Sequence, residues 1–392
     1  MNLLIRNVRL IDGTGAPPVP SVNVAVENGV ISWIGDGTVV PSKHPHYEEI
    51  NGEDLTLMPG IFDCHEHFAG DGGQNGVMAM NDDARDVLLV KAAANARRAL
   101  MTGQTSARDV GSPFGISITL ARQVATGSIP GPRITAAGQW IQAPTTWPYS
   151  MVHTVKGPEE LQKIVLEQIA QGAGLIKVGA TGFRSDGSDY GTLGPKMLGL
   201  VVGLAKKAGI RTAAHCSGYV GTREAVEAGI GTIEHGTHIY EDTARLMAKK
   251  GTVLVPTLST WDYRLRAVKR WNMSKSDLAD VEGRRDTSKA SFKRCLEAGV
   301  KVGAGTDAGG SPVRHGTIVR EIEVMVECGL SHMDAIRAAT SVAAELTGTL
   351  DQVGTVEVGK LADLILIDGD PLSDVGAIRN VWAVFQGGRR IR

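Results

Sequence analysis

The chain has 392 residues, 42% hydrophobic and 21% charged, with a formal net charge of -1. That length and composition suit a large folded α/β domain with a smaller companion and exclude a disordered chain. The balanced charge argues against a nucleic-acid or anionic-membrane surface, and no apolar run is long enough to cross a bilayer.

Residues 1–57 read as short strands, Leu3–Ile11, Val22–Glu27 and Val30–Ile34, separated by turn signals such as Asn28-Gly29 and Gly35-Asp36-Gly37. The first ten residues alternate like a strand and lack the apolar core of a signal peptide. Four scattered cysteines (Cys64, Cys216, Cys295 and Cys328) form no CxxC pair. A reducing, cytoplasmic setting is therefore expected.

From residue 58 the texture changes to strand-plus-helix units. Strand candidates are Ile61–His65, Thr105–Asp109, Ile134–Ala137, Leu175–Val178, Arg211–His215, Thr232–His235, Thr252–Pro256 and Val300–Gly305. Helical patterns at Ala84–Leu100, Pro158–Gln171, Lys196–Ala208 and Ser288–Ala298 lie between them. This alternation predicts a (β/α)8 TIM barrel over 58–349. A helical stretch follows at Ser331–Thr347, then strand texture at Leu361–Ile367 and Val381–Gln386. The two β-rich ends, 1–57 and 350–392, are expected to pair into one small composite β-sandwich.

The chemistry-bearing residues fall at strand ends. In Asp63-Cys64-His65-Glu66-His67, alternation turns His65 and His67 to one face, and Cys64 and Glu66 to the other. Two imidazoles on one face can share a metal ion, although HxH by itself is weak evidence. Lys177, His215, His235 and Asp307 stand at the ends of later strands, so five strand ends put ligand-type side chains on one barrel rim. A lysine buried among histidines would lose its proton readily, and a neutral amine can take up CO2 as a carbamate.

Those residues, with Met58-Pro59-Gly60, Ile176-Lys177-Val178, Ile233-Glu234-His235-Gly236, Gly305-Thr306-Asp307-Ala308-Gly309 and the end segment Gly354–Leu364, resemble the amidohydrolase superfamily, in its imidazolonepropionase-like and prolidase-like branch. The resemblance implies a binuclear site. His65, His67 and Asp307 would hold one divalent ion and His215 and His235 the second, with a CO2-derived carbamate on Lys177 bridging them. Zinc suits the ligand types, as do manganese and cobalt. The implied reaction is hydrolysis of a C–N bond in a small molecule. Water made hydroxide by the two ions attacks, and Asp307 serves as base and then acid. Self-association is usual in the superfamily, so a homo-oligomer fits.

Specificity is less legible. The loop after the fourth strand carries Arg184, which either pairs with a substrate carboxylate or is a solvated charge. Tyr190 and Tyr219 either donate to a developing oxyanion or simply pack. The loop after the third strand, with Trp140, Trp147, Tyr149 and His153, reads as a pocket wall or as ordinary packing. It lacks the Gly-Gly-His-Gly-like stretch of prolidase-like members, and Ser217 stands two residues past His215 where they often have an aromatic. Dipeptide specificity is therefore in doubt. A one-metal deaminase and a lactonase, esterase or carbamate hydrolase stay open as alternatives; the lack of a Glu shortly after His215, together with Lys177, favours the binuclear hydrolase.

Overall fold

The structure, a computed structural model, describes residues 2–37, 46–74, 76–144, 149–183, 189–191, 193–272 and 274–392, with backbone alone at 182–183 and 189–191. The N-terminal strands are β1 (Leu3–Leu10), β2 (Val19–Glu27), β3 (Val30–Gly35), β4 (Glu48–Asn51) and β5 (Leu55–Pro59). The next set runs β6 (Ile61–Glu66), β7 (Gln104–Asp109), β8 (Arg133–Ala136), β9 (Trp140–Gln142), β10 (Val152–Thr154), β11 (Leu175–Gly179), β12 (Thr181–Phe183), β13 (Asp189–Gly191), β14 (Arg211–Cys216), β15 (Thr232–His235) and β16 (Val253–Val255). Near the C-terminus come β17 (Leu364–Asp368), β18 (Val381–Gln386) and β19 (Arg389–Arg390).

Both chain ends enter one eight-stranded sheet, ordered β19-β18-β17-β5-β1-β2-β3 with β4 on β1. Its central strands are apolar on both faces because each face meets a different core. Leu364 and Leu366 of β17 join Leu57 and Val24 in one cluster, whereas the alternate residues Ile365 and Ile367 join Met58 in the main core. The β3 edge is tied back to the segment before β17 by Ile31 N donating to Lys360 O and Ala362 N to Gly29 O, each at 2.9 Å. The sheet thus folds over its own apolar face.

Between these ends two sheets are parallel, β6-β7-β8 and β9-β11-β14-β15-β16, and β12 and β13 form a small antiparallel pair. Helices such as Arg85–Met101, Pro158–Gln171 and Gly194–Lys207 cover them, which makes the molecule an α/β fold of parallel strands and outer helices. No helix among the described residues is long and apolar enough to cross a membrane.

Three details differ from expectation. Val300–Gly305 is extended but keeps only an isolated bridge, Leu254↔Val302. It still bonds on both sides, with Gly303 N donating to Leu254 O and Cys64 N to Ala304 O, each at 2.9 Å. The segment expected as a helix from Ser288 begins at Lys275, behind a capping box of Ser274 and Asp277. Ser331–Thr347 is two helices, His332–Ala338 and Ser341–Thr347, broken at Thr340 (φ -134°, ψ -95°).

Candidate metal centre

The end of β6 and the segment around Asp307 are laced together by backbone bonds: Asp307 N to His65 O and His67 N to Ala308 O, both 2.8 Å. The buried carboxylate of Asp63 reinforces this by accepting from the Thr306 N–H (3.0 Å), the Thr306 hydroxyl (2.5 Å) and the His65 N–H (3.1 Å). As a result His65 Nε2 and His67 Nε2 lie 3.6 and 3.5 Å from Asp307 Oδ1. Asp307 has φ +62°, a conformation that costs a non-glycine residue about 1–3 kcal/mol. At Gly310 a Cβ would sit 2.5 Å from Asp307 Oδ1, so only glycine leaves this carboxylate its place.

Facing this trio are residues from β11, β14 and β15. Parallel register sets Gly179 opposite His215 and Cys216 opposite His235, so the strand ends advance side by side. The His235 ring is 4.7 Å from those of both His65 and His215, and Lys177 Nζ lies 5.5 Å over the Trp140 ring. Trp140 also stacks on His215 at 4.8 Å. His235, like Asp307, sits at positive φ (+67°).

Three of the four rings are anchored through Nδ1. His65 Nδ1 meets Glu234 Oε2 at 2.7 Å, His67 Nδ1 meets the Gly111 carbonyl at 2.7 Å, and His235 Nδ1 meets Thr257 Oγ1 at 2.8 Å. An Nδ1–H held by an oxygen leaves the Nε2 lone pair available as a ligand. Glu234 is held in turn by Arg108, whose Nη2 reaches both carboxylate oxygens at 2.7 Å. All of these groups except His235 are buried or nearly so.

Burial, with Lys177 or neighbouring rings adding to it, holds His65, His215 and His235 well below the usual imidazole range. They are neutral at pH 7, as ligands must be. His67 runs the other way. Burial opposes its charge, but Asp307 outweighs that and raises it. Desolvation brings the Lys177 amine down to about 8, despite the attraction of Glu234. Among the described residues, His65, His67 and Asp307 form a donor set able to hold a cation. The tethered rings and the single carboxylate fit a divalent ion.

The profile of the amidohydrolase family matches residues 56–391. The chain belongs to the amidohydrolase family. It is a hydrolase acting on C–N bonds. Members of this family generally use divalent metal ions. An ochratoxinase of Aspergillus niger is 27% identical, covering 97% of this chain and 84% of that protein. The crystal structure of an Xaa-Pro dipeptidase with bound methionine in its active site is 30% identical, covers 100% of both chains and superposes with a TM-score of 0.89. An imidazolonepropionase of Geobacillus sp. (strain WCH70) is 22% identical over 93% of this chain and 91% of its own length.

Of the side chains singled out from sequence, this amidohydrolase gathers His65, His67, Lys177, His215, His235 and Asp307 around one pocket, together with Trp140 and Tyr149. Tyr219 takes the second of its two readings, packing. Its hydroxyl donates to Asp242 (2.8 Å) and its ring packs on Tyr240, so it does not line the pocket. His153 belongs to β10 and is likewise outside the lining. Arg184 and Trp147 lie outside the described residues, and Tyr190 is described by its backbone alone, in β13. Cys64 and Cys216 are buried, and burial pushes the Cys64 thiol up. Glu66 accepts from Gln104 (2.5 Å) and faces His315 Nδ1 (2.9 Å) behind the site.

The sequence reading missed Arg108, and it missed Thr260, Trp261 and Arg264 of the helix Ser259–Arg270, which line the pocket. Their signal was position: Thr257–Trp261 directly follows the seventh strand candidate, on the same rim.

Proposed function

We propose that this amidohydrolase is a binuclear metal-dependent hydrolase of an amide, peptide or N-acyl bond in a small substrate, built on a (β/α)8 barrel over 58–349. Residues 1–57 and 350–392 form its companion β domain. The bonds linking Ala304 and Asp307 to β6, Gly303 to β16, and Gly174 N to Ala136 O (2.9 Å) support closure of the strands into a barrel.

The observation that carries this reading is the set of Nδ1-tethered rings whose Nε2 atoms converge with Asp307. In this assignment His65, His67 and Asp307 hold one ion and His215 and His235 hold the other, zinc by ligand type. Lys177, whose neutral amine can add CO2 with release of a proton, would carry the carbamate oxygens offered to both ions. Its pKa of about 8 keeps part of the amine unprotonated near neutrality. When bound, the cations supply Lewis acidity that polarises the scissile carbonyl and acidifies the attacking water.

The remaining steps belong to side chains. Asp307 takes the proton of the attacking water and passes it to the leaving nitrogen, because an unprotonated amine is expelled poorly. Trp140 covers Lys177 and His215 and excludes water from that side. Glu234 and Thr257 hold the rings in one tautomer.

The test is a screen of zinc-, manganese- and cobalt-reconstituted protein against N-acyl amino acids, dipeptides, lactones and carbamates. Lys177→Ala should lose activity by roughly 100-fold or more and bind about one ion where the wild type binds about two. Full turnover by that variant would reject the carbamate assignment.

A further inference from the structure

Arg108, Arg133 and Arg320 are paired, whereas the Arg264 Nε is not. Arg108 is met by Glu234, Thr232 and the Cys64 carbonyl. Arg133 meets Asp363, and Arg320 meets Asp262, Glu323 and Glu327. Arg264 lines the metal pocket with no ion pair or hydrogen bond among the described residues, and its Nε is shut off from solvent without a partner. The Trp261 ring lies 5.7 Å from its guanidinium carbon. A guanidinium offers five donors in a planar fork, and closing one from water unmet is costly unless a ligand meets it.

The helix that presents it is fixed. At its start, Leu258 N and Ser259 N donate to the two oxygens of Glu321 at 2.8 and 2.6 Å. The Thr260 hydroxyl meets Ser311 at 2.5 Å, and Asp262 on another face is held by Arg320 at 2.6 Å. Thr260, Trp261 and Arg264, at spacings of three and four, therefore share the pocket face. Asp307 is the sole carboxylate among the described lining residues, and it already faces His65 and His67. The pocket thus joins a metal-ligand cluster, an uncommitted guanidinium and an apolar wall that includes Val77, Tyr149, Met151 and Trp261.

We propose that Arg264 is the carboxylate anchor of this pocket, and that the substrate is an acylated amino acid or dipeptide with a free α-carboxylate and an apolar side group. The inference rests on the hydrolase reading above and deepens it. The fork binds the carboxylate bidentately. Trp261 and Met151 flank the apolar group, and the amide is left facing Asp307.

The experiment compares N-acetyl-L-phenylalanine with N-acetyl-L-phenylalaninamide on the metal-loaded enzyme, by kcat/KM for release of acetate and by calorimetric binding. The wild type should favour the free acid by roughly 30-fold or more, the worth of a charge-assisted pair. Arg264→Met should bring that ratio close to unity, and Arg264→Lys should fall between. Equal handling of acid and amide by the wild type would overturn the anchor, with no variant needed. Absence of hydrolysis of either compound would sink the N-acyl hydrolase reading. Binding that still depends on the carboxylate and vanishes in Arg264→Met would then uphold the anchor alone. A ratio unchanged in a folded Arg264→Met protein would overturn it.

Discussion

Glu234 shows how much of the site depends on a residue outside the metal-ligand set. Its carboxylate is wholly buried and accepts from Arg108, the Thr232 hydroxyl and His65. Glu234→Gln would leave Arg108 a buried cation facing a neutral amide, a change that costs about 3–5 kcal/mol where a buried pair is broken. It would also free the His65 ring to rotate, and metal affinity should fall roughly 10- to 100-fold. Thermal unfolding and a zinc titration check both, and unchanged values would refute the orienting role. His65, His67 and Asp307 were legible in sequence because strand alternation and strand ends place them. Arg108 was not, because its role exists only once β7 and β15 face each other across the core. Arg264 was missed for a related reason, since a helix after a strand shows its pocket face only when its tilt is known.

At the scale of elements, the helix Ser259–Arg270 hangs on Glu321. That carboxylate is fully buried, and desolvation pushes it up to about 7 although two backbone N–H groups favour its charge. The folded pKa exceeds the unfolded value of about 4.3. The group's contribution to stability is therefore complete below the unfolded value and is lost as pH rises through about 7. The Tm difference between wild type and Glu321→Gln should narrow from about pH 5 to about pH 8. A gap that widens over that range would contradict the burial argument. The eighth strand candidate shows what periodicity cannot tell. Glycines at 303 and 305 let it pass so near β6 that a Cβ on Gly305 would lie 2.9 Å from the His65 Cβ. Close approach and the left-handed Asp307 interrupt its ladder. The early start of the helix Lys275–Glu297 was readable from its capping box, but its first half is charged and largely exposed, so no apolar stripe announced it.

At the scale of the molecule, the termini are structural partners. β17 is sandwiched between the two cores, and with β18 it buries Leu364, Ile365, Leu366, Ile367, Val381, Ala383, Val384 and Phe385. Burial of each of these side chains except Ala383 is worth about 1.5–3 kcal/mol, so together they rival the ~5–15 kcal/mol net stability of a typical protein. Removing residues 362–392 should abolish soluble folded protein, as read by expression and circular dichroism. A folded, active truncation would show the parallel-strand unit to be independent of this sheet. The pairing of the two ends was legible as β texture at both termini of an otherwise strand-plus-helix chain. The way the sheet folds over its own face was not, because it depends on bonds between the turn at Gly29 and residues 359–362.

The central claim is that two cations sit among His65, His67, His215, His235 and Asp307 with a carboxylated Lys177 between them. Anomalous diffraction from crystals of the zinc-loaded protein tests it most directly. Two peaks about 3.5–4 Å apart are expected, each about 2.0–2.2 Å from its histidine nitrogens, with added density on Lys177 Nζ. Zinc bound elsewhere, or no peak beside these rings, would contradict it.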